Sequence, residues 1–258
     1  MGLISNIVAI LPLLLLLVSN SKAQPAAAQP SAQPAQPAGG AGGVFDITKY
    51  GAKPNADITA NLKLNFITNS IVTGITSLDS KNFHINLLGC KNLTFDHVTI
   101  TAPGNSPNTD GIHVSSSEQI NILNTNIATG DDCISVGDSN KQVAISDVTC
   151  GPGHGISIGS LGKYTKEKEV VGVTVKKCKL TGTTNGVRIK TWPDSAVAFP
   201  ATDMHFEDIE MDNVSNPIII DQEYCPWNQC NRKENKILQS VVKLHQLMVH
   251  QPIEVMKM

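Results

Sequence analysis

Five short segments of this chain share one pattern, with a polar residue at the start and β-branched residues at the third and fifth positions. They read DGIHV, DCISV, HGISI, NGVRI and NPIII, and they begin at Asp110, Asp132, His154, Asn185 and Asn216. Each follows another alternating run, such as INILNTNI or VAISDVTC. Alternation buries one face of a strand, but strands this short need partners in neighbouring repeats. The repeat therefore predicts an all-β chain folded as a right-handed parallel β-helix.

The repeat also predicts which side chains stack. Equivalent positions of successive coils in such a solenoid lie about 4.8 Å apart. Asp110, Asp132 and His154 should thus form one outer column, for which a solvated face of turn-forming residues is the alternative interpretation. The alternation places two more columns on the outer face. One contains His113, Ser135, Ser157 and Arg188, and the other contains Ser115, Gly137, Gly159 and Lys190. It also places one column inside, which contains Ile112, Ile134, Ile156 and Val187.

The amino-acid composition favours many short strands and limits the kinds of molecule that the protein could bind. Aromatic residues make up only 4% and charged residues 16% of the chain, while short β-branched runs recur throughout, which favours strands over long helices. The net charge of -2 provides no overall basic field, so nucleic acid is a poor candidate partner. Any acidic polymer would have to be held by local Lys and Arg side chains.

The first 43 residues do not belong to the repeat. Residues 1–24 have the pattern of a secretory signal, because the apolar run from Ile7 to Val18 is short and leads into Ser21, Lys22 and Ala23. Residues 25–43 are rich in Pro, Ala and Gly and predict a flexible or polyproline-like spacer. We therefore expect a β-helix over residues 44–230 of a secreted protein that does not remain in the membrane once the signal is removed.

Secretion would make the six cysteines candidates for disulfides. No CxxC pair argues for a metal site. Cys225 and Cys230 could pair across PWNQ, whereas Cys90 and Cys178 fit buried thiols at inward positions. Two glycosylation acceptor sequences, which begin at Asn92 and Asn213, would be usable in the same compartment.

The predicted outer face collects groups with catalytic potential. Asp110, Asp131 and Asp132 lie within two neighbouring coils, and Arg188 and Lys190 follow farther along the stack. A glycosidase needs one carboxylic acid to protonate the leaving oxygen and one carboxylate to activate water or attack carbon. Repulsion among the acids should raise the pKa of at least one of them. The two cations are placed to bind a sugar carboxylate.

Four motifs on this face, taken together and in this order, resemble the polygalacturonases. They are NTDG (108–111), GDD (130–132), GHG (153–155) and RIK (188–190), within a similarity that runs from about Leu62 to Cys230. The flanking sequences CGPGHGISIGSLGKY and DQEYCPWNQC resemble the plant, pollen-type exo-acting branch. The resemblance implies a monomeric hydrolase of the cell wall that cleaves α-1,4 bonds of de-esterified homogalacturonan (pectate) with inversion, without a metal or another cofactor.

The resemblance also implies a role for each matching residue. Asp131 would be the general acid, Asp110 and Asp132 would activate water, and His154 would tune and orient the acids. Substrate-binding residues would be Arg188, Lys190, Asn108 and Tyr224, and a Cys133–Cys150 disulfide would restrain the aspartate pair. Spacing alone does not imply inversion, because acids stacked at about 5 Å are nearer the separation of retaining enzymes.

The chain departs from the polygalacturonase pattern at both ends. FDITKYGAKPNAD is followed almost at once by NLKLNFITNS at Asn61, where the family has several more coils, so we expect some terminal coils to be missing and strand edges to be unpaired. Residues 231–258 form a divergent tail. The apolar residues of this tail have helical spacing and predict a helical cap, with an intron-encoded or frame-shifted segment as the alternative; they are Ile237, Val241, Leu244 and Met248.

Two other functions compete with hydrolysis. A truncated isoform could bind pectate, or nothing, without turnover, and a β-helix pectate lyase would use calcium held by an acid cluster. GHG and RIK beside the paired aspartates argue for the hydrolase. Trp192 and Trp227 could stack on sugar rings or cover apolar edges, and Lys163 and Tyr164 could contact substrate or belong to a solvated loop.

Overall fold

The computed structural model describes residues 60–231 and 238–250, and every regular element in these two ranges is a β-strand. Strands of successive coils pair in parallel, which confirms the predicted parallel β-helix. The proposed signal and spacer lie outside the described residues. The part of the chain that the structure describes has no helix with the length and apolarity needed to span a bilayer.

Within residues 60–231 and 238–250, nineteen strands follow one another around the coils. The first two coils contain β1 (Ala60–Asn65), β2 (Thr68–Thr73), β3 (Thr76–Leu78), β4 (Phe83–Leu88), β5 (Lys91–Asp96) and β6 (Thr99–Thr101). The next two contain β7 (Ile112–Ser115), β8 (Glu118–Leu123), β9 (Asn126–Ala128), β10 (Ile134–Val136), β11 (Lys141–Ser146) and β12 (Thr149–Cys150). The remaining strands are β13 (Ile156–Leu161), β14 (Val170–Lys176), β15 (Lys179–Thr181), β16 (Asn185–Thr191), β17 (Pro200–Asp212), β18 (Asn216–Asp221) and β19 (Leu238–His250).

The strands form three faces. A seven-stranded sheet in the order β1-β4-β7-β10-β13-β16-β18 makes the face that carries the repeated motifs. The other two faces meet in the long strand β17, which pairs with β14 along one part and with β15 along the next. Sharp bends between these two faces recur where Gly74, His97, Asn124 and Asp147 adopt left-handed backbone angles, with φ between 47° and 65°. Gly and Asn reach this conformation most easily.

The interior is a stack of apolar side chains. Ile112, Ile134 and Ile156 are fully buried and Val187 is 2% exposed, and the strand register places them directly above one another. The predicted inner column is thus confirmed. Burying a side chain of this size stabilises the fold by about 1.5–3 kcal/mol, so the column fixes which face of each strand points outward.

The predicted helix at the carboxyl end is wrong for the residues that the structure describes there. Residues 238–250 form β19, which pairs in parallel with β17 along its whole length. The outer edge of β17 would otherwise present a row of unpaired N–H and C=O groups. Pairing with that row outweighs the helical spacing of the apolar residues, because most residues of β19 gain a backbone partner on β17. Ile237 lies outside the described residues.

The first coil leaves apolar side chains exposed. Phe66 is 72%, Ile71 is 71% and Leu78 is 60% exposed to solvent. All three sit on strands or bends of the first coil, beyond which the described residues end. The absence of terminal coils stays a prediction.

Candidate active site

The motifs DG, GDD and GHG lie side by side just before β7, β10 and β13. The Gly111 amide donates to the Asp132 carbonyl at 2.9 Å, and the Cys133 amide donates to the Gly155 carbonyl at 2.8 Å. The register also aligns Ser135 with His113 and Ser157 with Arg188. The residues singled out in the sequence are therefore gathered on one face.

Asp110 is almost fully buried. It is 7% exposed, and its Oδ2 accepts a hydrogen bond of 2.7 Å from the Ser135 hydroxyl. Burial, followed by the charges of Asp132 and Asp131, raises the pKa of Asp110 to about 7. One acid with a raised pKa was predicted from mutual repulsion, and the structure adds that desolvation is the larger cause.

His113 supports Asp110 through Ser135, and no catalytic or binding role was predicted for it from the sequence. The Nδ1 atom of His113 lies 2.8 Å from the Ser135 Oγ, whose proton is directed at Asp110. Burial lowers the pKa of His113 to about 4, so a neutral ring donates its Nδ1 proton to the serine. Phe83 stacks on the same ring at a centroid distance of 4.8 Å. Together these contacts fix the direction of the Asp110 carboxyl.

Asp131 forms a pair with His154. The His154 Nδ1 is 3.0 Å from the Asp131 Oδ1, which also accepts the Asp132 amide at 2.8 Å. Burial alone would raise the pKa of Asp131, but the hydrogen bond and charge of His154 outweigh it and lower the pKa. The same hydrogen bond raises the pKa of His154. The two shifts are opposite in direction, and both favour an ionised carboxylate beside a protonated imidazole.

Asp132 is the most heavily bonded of the three acids. Its side chain is 2% exposed, and it accepts hydrogen bonds from Ser157 at 2.8 Å, the Arg188 Nη2 at 3.1 Å and the Lys190 Nζ at 2.8 Å. Arg188 and Lys190 were predicted to face a sugar carboxylate. Here they face Asp132, because a carboxylate this deeply buried requires paired charges and donors.

The remaining predicted substrate residues are arranged unequally. The Tyr224 ring lies 5.1 Å from the Lys190 Nζ and 5.9 Å from the Arg188 guanidinium carbon, so this residue joins the cluster. Asn108 is exposed, with a left-handed φ of 55°, in the turn before Asp110. Within residues 60–231 it makes no hydrogen bond to the other predicted site residues.

Covalent and backbone constraints surround the cluster. The Cys133–Cys150 disulfide is confirmed, as is the Cys225–Cys230 bridge, with Cα–Cα distances of 6.0 Å in both. Cys90 and Cys178 are buried thiols, as predicted.

Two glycines flank His154 in the GHG motif. Gly153 and Gly155 have φ of 141° and 84°, and a Cβ at position 155 would collide with the Asn185 carbonyl. Glycine at position 155 therefore lets the next coil approach closely, and the GHG motif places His154 between two such glycines.

Asp131, Asp132 and His154 deserve consideration as metal ligands, since one potential ligand atom from each lies within 4.8 Å of the others. Asp132, however, already faces two fixed cations at 2.8 and 3.1 Å, and these charges oppose a third cation. The arrangement is better suited to proton transfer among carboxyls and the imidazole.

The raised pKa of Asp110 has a measurable effect on stability. An unfolded Asp110 loses its proton near 3.8, while the folded one keeps it to about 7, so this residue destabilises the fold increasingly as pH rises through that interval. Asp110→Asn should therefore raise the melting temperature at pH 7 by about 3 °C or more, with no gain at pH 4. Thermal unfolding at both pH values measures the difference.

Asp131→Asn is the matched control, because the pKa of Asp131 is lowered instead. Its contribution is present above the ordinary aspartate pKa and is lost as pH falls through the lowered one. This variant should lower the melting temperature at pH 7 and have less effect in acid. Shifts of the same sign and size for both variants at both pH values would contradict the assignment of the raised pKa to Asp110.

Comparison with known proteins places the chain in a family. The model for Glycosyl hydrolases family 28 matches residues 39–250. A polygalacturonase of Medicago sativa is 62% identical over 183 residues, which are 71% of this chain and 44% of that protein. An exopolygalacturonase of Platanus acerifolia is 59% identical over 181 residues, 70% of this chain and 48% of that protein. The chain thus spans a little under half the length of these relatives.

Solved structures show the same fold. An endo-xylogalacturonan hydrolase of Aspergillus tubingensis superimposes with a TM-score of 0.62 at 20% identity, covering 74% of this chain and 61% of that one. A polygalacturonase of Erwinia carotovora gives a TM-score of 0.54 at 26% identity, covering 74% of this chain and 56% of that one. With a family match across most of its length and a β-helix in common with these structures, the chain belongs to Glycosyl hydrolases family 28.

Proposed function

We propose that the chain is a hydrolase that cleaves α-1,4-galacturonosyl bonds of pectate. The observation that carries the proposal is the gathering of three carboxyls on one face, where Asp131 is paired with the His154 imidazole at 3.0 Å and Asp110 and Asp132 lie buried beside it. A proton-donating pair beside carboxylates that can activate water is the arrangement that acid-base cleavage of a glycosidic bond requires. Relatives named polygalacturonase and exopolygalacturonase support the substrate class.

Asp131 is the proposed general acid, because its side chain is 23% exposed while that of Asp132 is only 2% exposed. It can therefore approach a bound leaving oxygen. The His154 Nδ1 lies 3.0 Å away, and its hydrogen bond to Asp131 raises the pKa of His154, so the protonated imidazole is the proposed source of the proton. As negative charge develops on the leaving oxygen, that proton passes to it through the Asp131 carboxyl, and His154 is left neutral.

Asp110 and Asp132 are the proposed water-activating pair. Asp132 is oriented by Ser157, Arg188 and Lys190, and Asp110 is oriented by Ser135. A single ionised member of this pair suffices to accept a proton from water. Arg188 and Lys190, which lie between Asp132 and the Tyr224 ring, are the proposed contacts for a substrate carboxylate.

Inversion and exo action are finer parts of the proposal. They rest on the resemblance to pollen-type exopolygalacturonases and on the name of the Platanus acerifolia relative. One oxygen each of Asp131 and Asp132 lie within 4.8 Å, compared with about 6.5–9.5 Å between the carboxyls of inverting enzymes. The anomer released first, followed by proton NMR, distinguishes inversion from retention. Release of monomer before any shorter polymer appears would support exo action.

Secretion to the cell wall is part of the same proposal and is supported by residues 1–24 and by the two disulfides. Glycosylation at Asn92 and Asn213 would follow in that compartment, and both side chains are exposed.

The test is release of reducing ends from polygalacturonic acid by the full chain made in a secretory host. Fully methyl-esterified pectin is the matched control, because it has the same backbone without the carboxylates. Hydrolysis of the acid polymer and not of the ester supports the proposal. Unsaturated products that absorb in the ultraviolet and disappear with EDTA would instead identify a calcium-dependent lyase.

A non-catalytic pectate-binding isoform is the second candidate, and it is favoured by one observation. The matched region is only 44% of the Medicago sativa relative and 48% of the Platanus acerifolia relative, so more than half of each of those proteins has no counterpart in the match. Cosedimentation with pectate without release of reducing ends would support this candidate and overturn the hydrolase.

A further inference from the structure

We propose that Lys163, Trp192 and Trp227 form an additional subsite that binds an ionised galacturonosyl residue of the polymer beside the catalytic acids. The inference rests on the proposed function for the choice of polymer. These residues line a groove of about 330 Å³, to which Asp194 and Gln229 also contribute. The subsite is separate from the Asp110, Asp131 and Asp132 cluster and would contact substrate beyond the bond that is cleaved.

The ammonium group of Lys163 lies among aromatic rings. Its Nζ is 4.7 Å from the centroid of Trp192, 5.6 Å from that of Trp227 and 5.2 Å from that of Tyr164. Within the described residues this lysine has no ion pair with a carboxylate. A lysine held over ring faces is attracted by their electron density, and the charge remains accessible to an incoming anion.

The aromatic surface is open and yet held in place. Trp227 is 68% and Tyr164 is 63% exposed, which is unusual for such large apolar side chains. The Trp192 Nε1 donates a 3.1 Å hydrogen bond to the Ser160 hydroxyl. Trp227 lies in the short loop closed by the Cys225–Cys230 disulfide. Such restraint reduces the entropy lost when a ligand binds.

A chain of side-chain contacts links the groove to the acid cluster. Trp192 packs edge-on against Tyr224 at 6.1 Å between ring centroids. Tyr224 in turn lies 5.1 Å from the Lys190 Nζ, which contacts Asp132 at 2.8 Å. A polymer with its scissile bond at the acids would therefore reach this groove within its neighbouring residues.

The chemistry of the groove selects an acidic sugar. A sugar ring presents C–H groups on its faces, which pack on indole rings, and amphipathic rings such as Trp suit a ligand that is apolar on one side and wet on the other. A ring carboxylate would pair with the Lys163 ammonium in a charge-assisted hydrogen bond. A methyl ester at the same position would lose that pairing.

The chain provides its own reporter for this subsite, because it contains only two tryptophans and both lie in the groove. The experiment uses the full chain with Asp131→Asn, which should slow turnover, and titrates it with trigalacturonate. The expected result is a saturable change in tryptophan fluorescence. Calorimetry should show about fivefold weaker binding after Lys163→Met and about tenfold weaker binding after Trp227→Ala.

Lys166→Met is the matched control, since it removes the same charge from an exposed residue of the same loop, and it should bind as the parent does. The subsite would be overturned if trigalacturonate causes no fluorescence change and Lys163→Met leaves binding unaltered. If the wild-type chain still hydrolyses the polymer, the hydrolase proposal would stand. A fluorescence change that Lys163→Met weakens would support the subsite. If the wild-type chain releases no reducing ends in the same series, the hydrolase proposal would be overturned. If the chain shows neither hydrolysis nor a fluorescence change, both the subsite and the hydrolase are overturned.

Discussion

Asp132→Ala should destabilise the folded chain by about 3–5 kcal/mol, which is the cost of leaving buried cations without their partner. Lys190 is only 8% and Arg188 only 14% exposed in their side chains, so water cannot replace the lost carboxylate fully. Three hydrogen bonds to Asp132 would be lost at once. Urea unfolding at pH 7 measures the change as a lower midpoint.

A surface ion pair provides the matched control for Asp132→Ala. Lys91 and Glu118 lie 3.1 Å apart with side chains 57% and 44% exposed, and Glu118→Ala should cost less than about 1 kcal/mol. Adding Lys190→Met to Asp132→Ala should recover part of the stability, because one unpaired cation is removed. A midpoint for Asp132→Ala equal to that of Glu118→Ala would show that the buried cluster does not depend on this carboxylate.

Asp131→Asn should reduce hydrolysis of polygalacturonic acid by about 10²–10⁴-fold while the chain stays folded. The amide keeps the shape of the side chain but cannot deliver a proton to the leaving oxygen. Asp131 is also the more exposed acid, with 23% of its side chain accessible, so its removal leaves no buried cation unpaired. Initial rates of reducing-end release, with the melting temperature measured on the same samples, separate activity from folding.

The control for Asp131→Asn is Asp147→Asn. Asp147 also accepts a hydrogen bond from a neighbouring side chain, the Ser146 hydroxyl at 2.7 Å, but it lies at a bend away from the acid cluster. This variant should retain activity close to that of the wild type. An Asp131→Asn variant that keeps more than about a tenth of the activity would show that another group protonates the leaving oxygen.

The fold was accessible from sequence because its dominant signal is periodic. Inward isoleucines recur in step with the coils, and the same recurrence brings Asp110, Asp132 and His154 to one face. β19 could not be predicted from local pattern. Its partner is the edge of β17, and pairing with a distant edge depends on which backbone groups the rest of the fold leaves unsatisfied.

The positions of the site residues were predictable, but their partners were not. Column spacing puts His154 over Asp132, whereas the imidazole contacts Asp131 at 3.0 Å. Arg188 and Lys190 have long side chains whose direction is set by rotamers and by the nearest buried charge, and here that charge is Asp132. The proton on Asp110 depends chiefly on desolvation, which requires the packed structure rather than the order of residues.

Each acid of the cluster is synthesised before the groups that hold it. The hydrogen-bond donor to Asp110 is Ser135, 25 residues later in the chain, and one donor to Asp132 is Lys190, 58 residues later. During translation Asp132 would emerge first and meet the Lys190 ammonium only when β13 and β16 had stacked on β10. Assembly of the charge cluster is therefore a late event in the growth of the solenoid, and fraying from the carboxyl side would dismantle it before the core around Ile112 opened.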